Sequence, residues 1–381
     1  MAYFDNASTT FPKPEQVYDY MDAFYRRCGV NVGRGNYSLE ESAGNIVEDT
    51  RNRIKKLLHA PAKQVIFTPT ATIALNMIIQ GLVTDEKKNV YISPFEHNAV
   101  TRVLHNLQDN GKINTSILAV DDKLSYEFDV IRNDFHKNKP DIVIVSHASN
   151  VFGLISPIEE IFRVAKEFGA ITVADMSQTA GLIDCNVGLN IFDFAVFAGH
   201  KTLYGPTGIS GFVMNPDIKL RPVLFGGTGY ESANQNMPES IPEKYEMGTL
   251  NILGIAGLNA ALKWIDDEGI DRIRSVECSN RKKLIEILSK YDCIKMIGIF
   301  DDKDYVGIVS CLLDGISSDS AGSVFSEQNI SVRTGLQCAP STHKFLGTYP
   351  AGTVRFSVGY FTNNDEFDEL DNVLNYINEN I

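Results

Sequence analysis

The sequence predicts an α/β protein, with a mostly parallel mixed sheet flanked by helices and a smaller α+β unit at the C-terminal end. Three observations carry this. From about residue 60 to residue 215, short β-branched runs alternate with amphipathic stretches of helical period. Beyond residue 250, long helical patterns precede a few short strands and a last helix. The chain has 381 residues, 44% hydrophobic and 22% charged, enough for a large core and two domains.

The alternation starts at "QVIF" (64–67), which leads into "ATIALNMIIQGL" with apolar residues at helical spacing. "NVYIS" (89–93) precedes "HNAVTRVLHNL", and "DIVIVS" (141–146) precedes "PIEEIFRVAKEFG". "AITVAD" (170–175) and "FDFAVFA" (192–198) add two more strands. Strands this apolar, separated by helices, belong in a parallel sheet covered on both faces. In such sheets ligands gather at the carboxyl ends of the strands. Residues 215–250, rich in Gly, Pro and Asn, read as loop. Two helical patterns follow at 252–269 and 270–290. "VGIVSCLL", "ISVR" and "TVRFSVGYF" then read as strands, with a helix between the first two and another at the C-terminus. The expected division is a large domain over 15–250, with residues 1–14 and 251–381 forming a small domain plus an N-terminal arm.

A net charge of −13 disfavours nucleic acid and anionic membranes as partners. No apolar run approaches the roughly 20 residues needed to span a bilayer. "MAYFDNASTTF" lacks the pattern of a signal peptide. Cysteines 28, 185, 278, 293, 311 and 338 are scattered, with no C-x-x-C pair, so neither a metal site nor a disulfide framework is expected. A cytoplasmic setting follows.

The strongest chemical signal is "FAGHKTLYGPTGISGF" (197–212), where His200 and Lys201 follow a buried strand. A desolvated lysine loses basicity and becomes a nucleophile able to form a Schiff base. In "VADMSQTAG" (173–181), Asp175 ends a strand and would serve a protonated pyridine nitrogen, with Gln178 near a phenolic oxygen. In "FTPTATIALN" (67–76), Thr70, Ala71 and Thr72 open a helix and offer amides and hydroxyls to a phosphate. His97 could lie against an aromatic cofactor, and Asn150 could bond a ring oxygen. Each piece alone has an ordinary reading: a surface lysine, an Asp cap, a Thr N-cap, a structural His or Asn.

Together these segments resemble the class V aminotransferases that use pyridoxal 5'-phosphate, and within them the cysteine desulfurases of the branch that includes selenocysteine lyases. The matching pieces run in family order over residues 4–362: "DNASTT", "RGNYSL", "TATIALN", "EHNAV", "SHASNVFG", "VADMSQTAG", "GHKTLYGPTG", "YEMGTLN", "RTGLQCAP" and "GTVRFSVGYFTN". The resemblance implies a fold-type-I pyridoxal-phosphate transferase, a homodimer with shared active sites, and L-cysteine or L-selenocysteine as substrate. It also implies a sulfur-acceptor protein as partner. Carried over, Lys201 holds the cofactor, Asp175 pairs with the pyridinium and Gln178 neighbours the phenolate. His97 stacks on the ring. Ala71, Thr72 and His200 take the phosphate, joined by Thr249 from the second protomer. Asn150 and Arg355 bind the substrate carboxylate, Arg333 is a second candidate, and Cys338 accepts sulfur. Arg333 is also expected to supply the electropositive setting of the thiol.

The sequence departs from that pattern in three places. Ala198 stands where a serine is usual, which removes one phosphate hydroxyl. Leu336 and Gln337 replace the histidines often found before the cysteine, and the loop after Cys338 is short. The rival readings are a selenocysteine lyase, another class V aminotransferase or lyase, and a non-catalytic sulfur-relay scaffold.

Overall fold

The computed structural model describes residues 1–33, 37–84 and 86–380. Arg34, Gly35 and Asn36 of the "RGNYSL" match lie outside the described residues.

The chain begins with a short strand, β1 (Ala2–Tyr3), and two helices, α1 (Glu15–Cys28) and α2 (Ser38–Leu57). Both helices are additions to the expected pattern. On α2 the buried positions Ala43, Ile46, Val47, Thr50 and Ile54 recur at the spacing of one helical face. Charged residues fill the intervening positions and dilute the signal.

A seven-stranded sheet follows. Its elements in chain order are β2 (Gln64–Thr68), α3 (Ala71–Leu82), β3 (Lys88–Ile92), α4 (Asn98–Asp109) and β4 (Ile113–Ile117). Then come α5 (Phe128–Lys137), β5 (Ile142–Ser146), α6 (Ile158–Glu167), β6 (Ile171–Asp175), β7 (Phe194–Ala198) and β8 (Ser210–Met214). The spatial order is β2-β8-β7-β6-β5-β3-β4. Every pairing is parallel except those of β8, which runs against both β2 and β7. The predicted mostly parallel mixed sheet is therefore present. β5 and β7 are buried at every position, which explains their unbroken apolar runs. β4, "INTSI", was not expected: it is an edge strand with an exposed, polar pattern, so no apolar run announces it.

The remainder holds α7 (Ile252–Glu268), α8 (Ile270–Leu288), β9 (Ile294–Ile297), β10 (Ile308–Leu313) and α9 (Ser318–Glu327). It ends with β11 (Ile330–Ser331), β12 (Arg333–Gly335), α10 (Pro340–Phe345), β13 (Thr353–Ser357) and α11 (Asn364–Asn380). α7 is apolar and buried nearly all round, packed against α1 and α2. Gly257 permits that approach, since a Cβ there would stand 2.4 Å from the sulfur of Met21. A second, antiparallel sheet runs β12-β13-β10-β9. The single strand expected at "ISVR" is instead divided: β11 pairs in parallel with β1, and β12 turns to pair with β13.

Hydrophobic clusters lie on each face of the large sheet, and a third surrounds β10, β13 and α11. The N-terminal arm joins that third cluster through Ala2 and Phe4 and then reaches the large sheet, where the Thr10 amide donates to the His200 carbonyl at 3.1 Å. It thus does both things the sequence left open, packing on the small unit and crossing the site.

Candidate active site

The carboxyl ends of β2, β5, β6 and β7 open onto one cavity of about 250 Å³. Its walls include Ala71 and Thr72 from the start of α3, His97 before α4, Asn150 after β5, and Asp175 and Gln178 after β6. Ala198, His200 and Lys201 after β7 complete it. Residues spread over some 130 positions of sequence meet because parallel strands deliver all their carboxyl ends to one edge.

Lys201 sits on the turn between β7 and β8. Burial pulls its amine down to about 8, against the opposing pull of Asp175. Asp175 is 7% exposed. The hydrogen bonds described for its carboxylate, from the Ser177 amide at 3.0 Å and hydroxyl at 2.5 Å, both fall on Oδ1. Oδ2 is left for a further donor. His97 caps α4: its Nδ1 accepts from the Ala99 amide at 3.0 Å, which fixes the ring and puts the proton on Nε2. Burial, and then Lys201, hold the imidazole neutral by lowering it to about 4.

At the start of α3 the Thr70 hydroxyl accepts from the Ile73 amide at 3.2 Å, so it is a true N-cap. No partner is described for the Ala71 and Thr72 amides, and they stand at the positive end of a helix. His200 Nδ1, buried and without a partner among the described residues, lies in the same wall. Free amides, an orphaned imidazole nitrogen, a free carboxylate oxygen and a buried amine together fit the phosphate, ring nitrogen and aldehyde of pyridoxal phosphate. Gln178 is buried, and its amide donates to the Ala7 carbonyl at 3.0 Å, so the arm holds it in place.

The small unit supplies the rest. Arg355, central in β13, is 3% exposed. It donates to the Asn150 carbonyl, and to Asp5 and Ser8 of the arm, at 2.8 Å each. Its Nε is buried and has no partner among the described residues. Arg333 pairs with Arg355 across β12 and β13 but is exposed.

Cys338 is the exposed cysteine among three buried and two half-buried ones. Burial raises the Cys185 thiol to about 12 and pushes Cys311 higher still, so neither is a ready thiolate. The Cys338 loop is tied to the cavity rim. Its carbonyl accepts from the Asn98 amide at 2.7 Å, and the preceding Gln337 carbonyl accepts from the Asn150 side chain at 2.7 Å. Gln337 and Cys338 have φ of 40° and 58°, a left-handed pair of non-glycine residues that costs about 1 kcal/mol or more at each position. Lys201 and Arg355 each lie within electrostatic range of Cys338. Thr249 is exposed and lines a neighbouring depression with Thr68 and Pro69, outside the Lys201 cavity.

The arm was expected, but the contacts its residues make with the site are what sequence reasoning missed. Besides Asp5 and Ser8, its Thr9 hydroxyl and Lys13 amine donate to the His200 carbonyl, and its Thr10 hydroxyl donates to that of Lys201 at 3.0 Å. Burial lowers the Lys13 amine to about 7. The polar run "DNASTT" signals the arm, but hydroxyls that bond remote carbonyls have no periodicity to reveal them.

Known proteins are similar to this chain in sequence and in fold. A probable cysteine desulfurase of Pyrococcus abyssi is 32% identical over 98% of this chain and 93% of its own length. Another, from Methanothermobacter thermautotrophicus, is 29% identical over 98% of this chain and 94% of its own. Among solved structures, the apo cysteine desulfurase of Thermococcus onnurineus superposes with a TM-score of 0.90 at 28% identity, covering 100% of this chain and 95% of that one. The fold is that of a fold-type-I transferase. The family model for class-V aminotransferases matches residues 2–370, and the chain belongs to that family.

Proposed function

We propose that the chain is a pyridoxal-phosphate-dependent cysteine desulfurase that converts L-cysteine to L-alanine and takes the sulfur onto Cys338 as a persulfide. The observation that carries this is the meeting of two halves. A lysine–aspartate pair at strand ends suits the cofactor, and an exposed cysteine is tied to the rim of the same cavity through Asn98 and Asn150.

When bound, the cofactor supplies an electron sink for the substrate's Cα–H bond. Ala71, Thr72 and His200 would hold its phosphate, Asp175 its ring nitrogen, and His97 and Gln178 its faces and edge. Lys201, largely neutral above pH 8, is suited to carry a proton from and to the substrate. Arg355 and Asn150 would orient the substrate carboxylate. The Cys338 thiolate attacks the substrate sulfur. A sulfur–sulfur bond forms, the carbon–sulfur bond breaks toward Cβ, and protonation of that carbon yields alanine. One thiol and one cysteine become one persulfide and one alanine, so the step balances.

We further propose the division into a large cofactor-binding domain, 15–250, and a small domain of 1–14 and 251–381. We also infer a homodimer in which Thr249 serves the partner's cavity, which accords with its exposure outside its own. A cytoplasmic enzyme that hands sulfur to an acceptor protein completes the reading. No helix among the described residues is long and apolar enough to cross a membrane.

The test is production of alanine and sulfide from L-cysteine against selenide from L-selenocysteine, with wild type and Cys338→Ala side by side. Alanine release from L-cysteine should fall about 100-fold or more in the variant. Undiminished release would rule out persulfide chemistry, and selenide release alone would make the chain a selenocysteine lyase.

A further inference from the structure

The loop bearing Cys338 has a left-handed backbone at two successive non-glycine residues, so its shape must be imposed from outside. The hydrogen bonds that impose it converge on Gln337. Its side chain is 5% exposed and lies beneath the loop. The amide nitrogen donates to the Thr353 carbonyl at 2.9 Å. The amide oxygen faces His343 Nε2 at 2.7 Å and accepts from the Thr353 hydroxyl at 3.3 Å. An amide oxygen can only accept, so His343 carries its proton on Nε2, and its Nδ1 accepts from the Thr348 hydroxyl at 2.7 Å. His343 is completely buried. The chain therefore does have an imidazole close to its thiol loop. It comes from six residues after Gln337 and meets the glutamine, not the sulfur.

Both peptide carbonyls of the strained pair are held as well, by Asn150 and by the Asn98 amide. Residues on α4, α10, β13 and the turn after β5 thus all fix one turn, and Gln337 is common to most of the contacts.

We propose that Gln337 and His343 are positioning residues for sulfur transfer: they lock the left-handed turn that carries the Cys338 thiol at the rim of the Lys201 cavity. The proposal rests on the desulfurase reading and deepens it. Gln337 and His343 act through the backbone on the thiol's position, while the lysine side of the site is left alone. Misplacing a reacting group by about 1 Å can cost about 100-fold in rate.

The experiment uses full-length holoenzyme carrying Gln337→Ala, Gln337→Glu, His343→Ala or His343→Gln. Three quantities are read: kcat and KM for alanine formation from L-cysteine, exchange of the α-hydrogen of L-alanine with deuterated solvent, and amide exchange along the chain. Gln337→Ala should lower kcat about 10- to 100-fold with KM within about twofold. α-Hydrogen exchange, which needs Lys201 and not Cys338, should be unchanged. Amide exchange should accelerate over residues 336–349 and nowhere else. Gln337→Glu, which keeps the volume and the acceptor but loses the donor to Thr353, should fall between wild type and Ala. It also answers the case in which Gln337→Ala fails to fold. His343→Gln, which retains a donor near the Nε2 position, should recover most of what His343→Ala loses.

Unchanged kcat in Gln337→Ala overturns the proposal, as does an equal loss of α-hydrogen exchange, which would make the residue a general structural one. A wild type that makes no alanine from L-cysteine sinks the desulfurase reading instead. Amide exchange then decides the clamp alone: acceleration confined to 336–349 supports it, and its absence overturns it.

Discussion

The two halves of the site are built on opposite principles. On the cofactor side, Asp175, Asn150 and Lys201 stand at or just past the ends of strands whose neighbours fix them in register. Asp175 ends its strand, Asn150 and Lys201 sit on the turns that follow theirs, and the Asp175 and Asn150 side chains are buried. On the thiol side, Cys338 is exposed on a strained turn between β12 and α10, held by backbone and side-chain groups from four other places in the chain. On the proposed desulfurase reading the difference follows from what each half would do. A cofactor would stay in place, so a rigid sheet edge suits it. Sulfur would have to leave, so its carrier would need to reach solvent, and a braced loop offers both access and aim.

The sharpest way to break this division is Lys201→Ala. It should abolish the cofactor's visible absorption and lower turnover on the order of 10⁴-fold or more. The alkylation rate of Cys338, measured by mass spectrometry on its peptide, should stay near wild type. A thiol that loses its reactivity along with the lysine would mean that the halves are not separate.

Arg355→Lys touches both halves, because the guanidinium bridges Asn150 and the arm. An ammonium cannot reproduce the two-pronged geometry. KM for L-cysteine should rise roughly 10-fold or more, with a smaller fall in kcat, as read from initial rates of alanine formation. An unchanged KM would remove Arg355 from carboxylate binding.

The mildest test leaves both halves alone and acts on the seam between them. Glu277 borders a small cavity there with Gln178, Tyr204 and Val358, and accepts from the Gly307 amide at 2.7 Å. Burial raises its carboxyl from 4.5 to about 7. Between those values the unfolded chain has released the proton that the folded chain retains, so folding stability falls as pH rises through that window. Glu277→Gln removes the loss. Its melting temperature relative to wild type should increase between pH 4.5 and 8, by a shift on the order of 2 °C or more. An offset independent of pH would contradict the assignment.

Where the sequence was legible, burial on both sides had written the structure into it. "DIVIVS" and "FDFAVFA" read as strands because helices cover both faces, and Asp175 and Lys201 could be placed by their position at strand ends. β4 stayed hidden because an edge strand needs no apolar run. The division of "ISVR" stayed hidden because each half pairs with a segment far away, residue 2 in one case and residue 354 in the other. The surroundings of Cys338 were legible only as a deficit. Leu336 and Gln337 stand where histidines were expected, and nothing local shows that His343 folds back onto Gln337. Contacts of this kind depend on tertiary closure and have no period to read.

The arm carries a consequence for how the molecule is made. Asp5 meets Arg355 across a separation of 350 residues, and β1 needs Ile330 and Ser331 before it has a partner. During synthesis the large sheet can close early, whereas the junction of the arm with Arg355 forms only after the last strands emerge and the first residues return to them. A nascent chain would thus hold the strand-end residues of the Lys201 cavity and still lack the Arg355 junction that, on the proposed reading, meets the substrate carboxylate.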